Sequence, residues 1–141
     1  MSTTTPEPVT TSIGLLILRV AAGAMMMVHG YAKLTGWDEM STDFPDPIGV
    51  GHSTSLGLAI FGELVCSALL LPGLLTRFAA IPFSFTMIVA GFIVHGSDPW
   101  SRKELAMLYL VVGIVIAIVG PGRFSVDARI APNLKWGKWL V

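Results

Sequence analysis

Two residues of this chain are costly where they stand. Arg19 and Glu63 lie inside apolar segments, Ile13–Tyr31 and Leu56–Leu71. A charge at the centre of a bilayer helix costs about 2.5–3.5 kcal/mol on insertion scales, so such residues pair or carry function. Arg19 stands six residues after the start of its segment and Glu63 eight before the end of its own. At about 1.5 Å per residue, both fall roughly 9–12 Å inside the same face of an antiparallel helix pair. Opposite sign and matched depth predict an intramembrane ion pair that fixes helix register. The alternative is that Glu63 faces a cavity, where it carries protons or binds a ligand headgroup.

Histidines form the second constellation. His29 and His95 each end an apolar segment within the tripeptide Val-His-Gly. Both belong near one interface, with Lys33, Asp98, Trp100, Arg102 and Glu104 close in sequence. One reading caps helix ends or hydrogen-bonds loop backbone. The other is a polar pocket in which His29, Lys33 and His95 bind the headgroup of a quinone or another small redox amphiphile. His52 is a third imidazole, but no HxxxH or HxH spacing supports a metal site and none is expected. The methionines Met25, Met26 and Met27 point around a helix rather than along one face, so packing accounts for them.

The elements that position these residues are set by composition. Hydrophobic residues make up 53% of 141 and charged residues 13%, about half the charge of a soluble domain. Mean hydropathy is +0.73. Four nearly uncharged blocks, Ile13–Tyr31, Leu56–Leu71, Phe78–Val94 and Leu105–Val119, lack the alternation of a membrane barrel. Backbone in lipid must satisfy itself, which leaves helices. The predicted fold is an all-α integral membrane four-helix bundle, in one domain over 13–122. A disordered tail precedes it at 1–12 and an interfacial tail follows at 123–141, bearing Lys135, Trp136, Lys138 and Trp139. Span one carries Arg19 within its apolar stretch and no Lys or Arg before it, so it is expected to be retained rather than cleaved as a signal.

Nine basic residues balance nine acidic ones, which gives no nucleic-acid footprint. The single cysteine, Cys66, excludes an intrachain disulfide and a CxxC pair. Arg77, Arg123, Arg129, Lys135 and Lys138 fall on one side, against Lys33, Arg102 and Lys103 on the other. That bias predicts both termini in the cytoplasm. Trp37 and Trp100 on one side, Trp136 and Trp139 on the other, suit aromatic belts.

Three motifs carry a resemblance. They are the arginine of Leu18-Arg19-Val20 followed by His29-Gly30-Tyr31-Ala32-Lys33-Leu34, Glu63 followed by Gly73-Leu74-Leu75-Thr76-Arg77, and Gly120-Pro121-Gly122-Arg123-Phe124-Ser125-Val126-Asp127. In this order they resemble the DoxX family of small four-helix bacterial membrane proteins. The resemblance implies a plasma-membrane protein linked to redox chemistry. DoxD relatives are associated with thiosulfate:quinone oxidation and DoxX proteins with oxidant-defence complexes. By correspondence Arg19, His29, Lys33, Glu63 and Arg77 are the positions expected to matter. Relatives that exchange disulfides use cysteine pairs, and Cys66 stands alone here. The expected function is a redox-associated subunit that binds a quinone or similar amphiphile, with no tightly bound cofactor. The alternative is a non-catalytic structural or accessory subunit. Lipid and larger redox subunits are the expected partners. A homo-oligomer, and whether the chain is itself part of a quinone-linked oxidoreductase, stay open.

Overall fold

The computed structural model describes residues 8–134 and 137. Among them every regular element is helical. α1 runs from Val9 to Thr35 and the one-turn α2 from Trp37 to Met40. α3 covers His52–Leu70 and α4 covers Thr76–Val94. α5 is Trp100–Val119. The short α6, Val126–Ile130, leads into a 3₁₀ turn at Ala131–Asn133.

α1, α3 and α4 are each long and apolar enough to cross a membrane. Their outward faces fit lipid: Ile17, Val28 and Phe92 are more than 60% exposed. A water-soluble monomer rarely shows apolar surface on that scale. α5 carries Arg102, Lys103 and Glu104 in its first turns. Its apolar part, Leu105–Val119, rises about 22 Å, against a hydrocarbon core of about 30 Å. All four long helices share one core. Ala22 and Met26 come from α1, Cys66 and Leu70 from α3, Phe83 and Met87 from α4, and Tyr109 and Ile116 from α5. Phe83 and Tyr109 meet edge to face, centroids 6.2 Å apart.

The helices begin earlier than the apolar blocks predict, because their polar first turns are helical too. α1 already includes Val9–Ser12, which the expected tail contained. Residues 1–7 lie outside the described residues, as do Lys135, Trp136, Lys138 and Trp139 of the expected interfacial tail. Pro82 lies in the second turn of α4, where its missing N–H frees one carbonyl of the preceding turn.

The end of the molecule where α1 begins is held by two buried charges. Arg19 is fully buried. Its guanidinium donates to the carbonyls of Leu70 at 3.0 Å and Leu71 at 3.1 Å and of Phe124 at 2.7 Å. The first two are carbonyls at the end of α3, that of Leu70 shared with the Gly73 N–H at 3.1 Å, where a cation also meets the negative pole of the helix. Asp127 accepts from the backbone N–H of Leu75 and Thr76, both at 2.8 Å, and so closes the start of α4. Leu75 has φ of 48°, a left-handed conformation that leucine adopts only when its surroundings hold it. Arg77 donates to Ala117 at 2.7 Å and Ile118 at 3.0 Å, capping α5.

These contacts overturn the expected Arg19–Glu63 pair. A guanidinium needs several acceptors in a planar fork, and the end of α3 supplies them. Glu63 lies seven residues before Leu70, about 10 Å back along the helix.

Candidate functional site

Glu63 finds Lys33 instead. Lys33 Nζ lies 2.6 Å from Glu63 Oε2, with 24% and 8% of the two side chains exposed. Lys33 starts from the last turn of α1, and its long aliphatic stem lets the ammonium reach a carboxylate set deeper in the bundle.

Two features of the chain bring α1 and α4 close to Glu63. A Cβ at Gly30 would stand 2.6 Å from the backbone nitrogen of Leu64, and one at Gly62 would run into the Thr86 hydroxyl. Only glycine permits either approach. The second feature is a π-helical turn, Phe61–Cys66, which contains Glu63. A matching one, Val89–Val94, ends α4. Such turns insert a residue into a continuous helix, rotate the residues beyond the insertion, and recur at functional sites.

Between these turns lies a cavity of about 300 Å³. Its wall is largely apolar, with Leu58, Ala59, Phe85 and Val89 among the lining residues, and the polar side chains in it are Lys33, Ser55, Glu63, Thr86 and His95. Phe44, Pro45, Pro47 and Ile48 roof it. Leu58 and Phe85, in the cavity wall, are also about half exposed on the apolar outer surface.

The roof is held by Asp46. Its carboxylate accepts from Val50 N–H at 2.9 Å, Gly51 N–H at 2.8 Å and the Ser55 hydroxyl at 2.7 Å. Those bonds, the Ser55 hydroxyl first, hold the Asp46 carboxyl below the usual carboxylate range. They also tie the roof to the first turn of α3.

His95 stands at the rim, at the end of the second π turn. Its Nδ1 is 2.8 Å from Asp98 Oδ2. That bond, with Arg102 3.8 Å from the same oxygen, keeps the Asp98 carboxyl below its ordinary value.

The expected pocket therefore changes membership. Lys33 and His95 line the cavity and His29 does not. His29 is rotated about 100° from Gly30. Gly30 faces α3, and His29 is exposed. His52 bonds the carbonyl of Phe44 through Nδ1. Among the described residues no three His, Cys, Asp or Glu side chains gather as a metal set. The sequence reading missed Ser55 and Thr86, which carry no charge pattern. Asp46 accepts from amides four and five residues on, beyond the two-residue reach of an Asx turn, so its role carried no local sequence signal.

The arrangement offers a donor, an acceptor and an imidazole within an apolar recess. It suits a small polar headgroup on an apolar body.

Comparison with known proteins agrees on the class. The DoxX family model matches residues 14–96. The chain is 31% identical to "Putative oxidoreductase CatD" of Bacillus subtilis, over 89% of this chain and 92% of that protein. It is 29% identical to "Inner membrane protein YqjF" of Escherichia coli, over 88% and 95%. It is 27% identical to an uncharacterized membrane protein of Mycobacterium tuberculosis, over 83% and 81%. No solved structure matches significantly. With a match across α1, α3 and α4 and relatives of nearly equal length, the chain belongs to the DoxX family of membrane proteins.

Proposed function

We propose that this DoxX protein is a redox-associated membrane subunit whose cavity takes the headgroup of a quinone or similar amphiphile. One observation carries the reading: the Lys33–Glu63 pair, at 2.6 Å, is set in the wall of a largely apolar cavity whose Leu58 and Phe85 also face the apolar outer surface. A structural ion pair needs no cavity beside it. A membrane-dissolved ligand needs both, with polar groups for its oxygens and an apolar flank for its tail. The oxidoreductase name of the Bacillus relative supports the redox assignment.

The same reading places the protein in a bacterial plasma membrane with both termini cytoplasmic and the cavity at the outer face. Arg77, Arg123 and Arg129 at the opposite end support that orientation. α5 then crosses as a fourth span. The bond from Arg123 N–H to Ser12 Oγ, 3.3 Å, supports this, since the chain after α5 meets the start of α1.

The test is extraction of the purified protein with organic solvent, followed by quinone absorbance. Wild type should carry quinone. Glu63→Gln and Lys33→Met should carry several-fold less, as expected for loss of one hydrogen bond to the headgroup, about 0.5–1.5 kcal/mol. His29→Ala should carry as much as wild type. Wild type free of quinone would favour the accessory-subunit alternative.

A further inference from the structure

One polar group of the cavity wall, His95, has a second ring nitrogen that is unspoken for. His95 lines the cavity and keeps 39% of its side chain exposed. Asp98 takes its Nδ1 at 2.8 Å, and among the described residues no protein group bonds its Nε2. The Asp98 carboxylate is itself fixed, with Arg102 3.8 Å away. Lys103 donates to the Gly96 carbonyl at 2.9 Å and steadies the same turn. A carboxylate on Nδ1 forces the neutral imidazole to carry its proton there and to present a lone pair at Nε2. An imidazolium so held presents Nε2–H instead.

We propose that His95 is the proton port of the cavity and that Asp98 is its positioning residue. This rests on the amphiphile reading above and adds to it where the proton goes. A hydroxyl on the ligand headgroup gives its proton to Nε2: the O–H bond breaks and the N–H bond forms. The headgroup keeps the electron pair as an oxyanion beside the Lys33 ammonium, and the imidazolium keeps Nδ1–H on Asp98. The exposed edge of His95 then returns the proton to water. No electrons change hands in this step. Glu63 is on Lys33 and at 2.6 Å is occupied by it, which leaves His95 as the group with a free nitrogen. The charged groups around the imidazole are Asp98, Arg102 and Lys103 on its own side and Lys33 with Glu63 across the cavity.

The test uses 2-heptyl-4-hydroxyquinoline N-oxide, a fluorescent amphiphile with an ionisable hydroxyl that cannot be turned over. Its Kd is measured on the full-length protein in detergent from about pH 5 to 8, the range in which imidazoles change charge. Wild-type affinity should vary with pH. His95→Gln, which keeps a hydrogen-bonding side chain, should bind about 2- to 12-fold more weakly, the worth of one hydrogen bond, and with a flattened pH profile. Asp98→Asn should still bind, with its pH profile displaced. Both variants should keep the wild-type melting profile in detergent, so that changes are read on folded protein. Binding by both variants with the wild-type pH profile would overturn the port while leaving the cavity reading intact. No binding by wild type would overturn both.

Discussion

Lys33 and Glu63 are thirty residues apart and meet at 2.6 Å, while Arg19, at a similar expected depth, is bound to the far end of the same helix as Glu63. Two separate anchors therefore join α1 to α3. The anchor at the start of α1 binds carbonyls and is closed. The anchor at its end binds a carboxylate and borders empty space.

Double-mutant cycles separate the two anchors. Lys33→Met and Glu63→Gln should show a coupling of about 1–3 kcal/mol in detergent unfolding, below the 3–5 of a fully buried pair because Lys33 is partly exposed. Arg19→Met and Glu63→Gln should add within about 0.5 kcal/mol, as distant sites do. Coupling between Arg19 and Glu63 of the first size would restore the discarded pairing.

Arg19 itself is a strong anchor. Arg19→Met removes three hydrogen bonds from a buried cation and leaves the carbonyls of Leu70, Leu71 and Phe124 without it. A loss of at least about 2 kcal/mol is expected. Arg19→Lys should recover less than half, since an ammonium cannot fork across those acceptors. Full rescue by lysine, in the same unfolding measurement, would mean that charge alone matters there.

The helical, membrane-crossing character of α1, α3 and α4 and the costly residues were legible in the sequence because lipid imposes length and apolarity directly. Arg19 and Glu63 stood out for the same reason. Their partners were not legible. Depth along a helix was read from chain position, but a long side chain reaches a full turn from its Cα, and carbonyls at a helix end satisfy a guanidinium as well as a carboxylate would. His29 failed for a rotational reason: it ends the same span as Gly30 but faces another way. The two π turns were invisible, since nothing in Phe61–Cys66 or Val89–Val94 departs from an ordinary apolar helix, and they shift the residues that line the cavity.

Glycine at the site is expected to be irreplaceable. Gly30→Ala drives a methyl group into the backbone of Leu64, which cannot rotate away. Overpacking of this kind costs about 1–3 kcal/mol, and the Lys33–Glu63 pair should be disturbed with it. Gly14→Ala, which meets nothing within 4 Å, should cost nothing measurable. Equal melting temperatures for both variants would show that α1 and α3 do not pack as closely as described.

The roof over the cavity should loosen in acid. Asp46 has a folded-state pKa below its ordinary value. Its contribution is therefore fully present above the ordinary carboxylate value of about 3.9 and is lost as pH falls through the lowered folded value. Hydrogen exchange at the Val50 and Gly51 amides should accelerate, relative to the rest of the chain, only below about pH 4. In Asp46→Ala it should already be fast at neutral pH. Protection of those amides in the variant would show that the roof is held by other contacts.

The central claim is that a membrane-dissolved headgroup sits against Lys33 and Glu63. Photoaffinity labelling with an azido-quinone, followed by peptide mapping, tests it most directly. Labels are expected on the cavity segments around Leu58–Glu63 and Phe85–Ala90, competed by unlabelled quinone and lost in Glu63→Gln. Labels spread over lipid-facing positions such as Ile17 and Leu108, without competition, would contradict it.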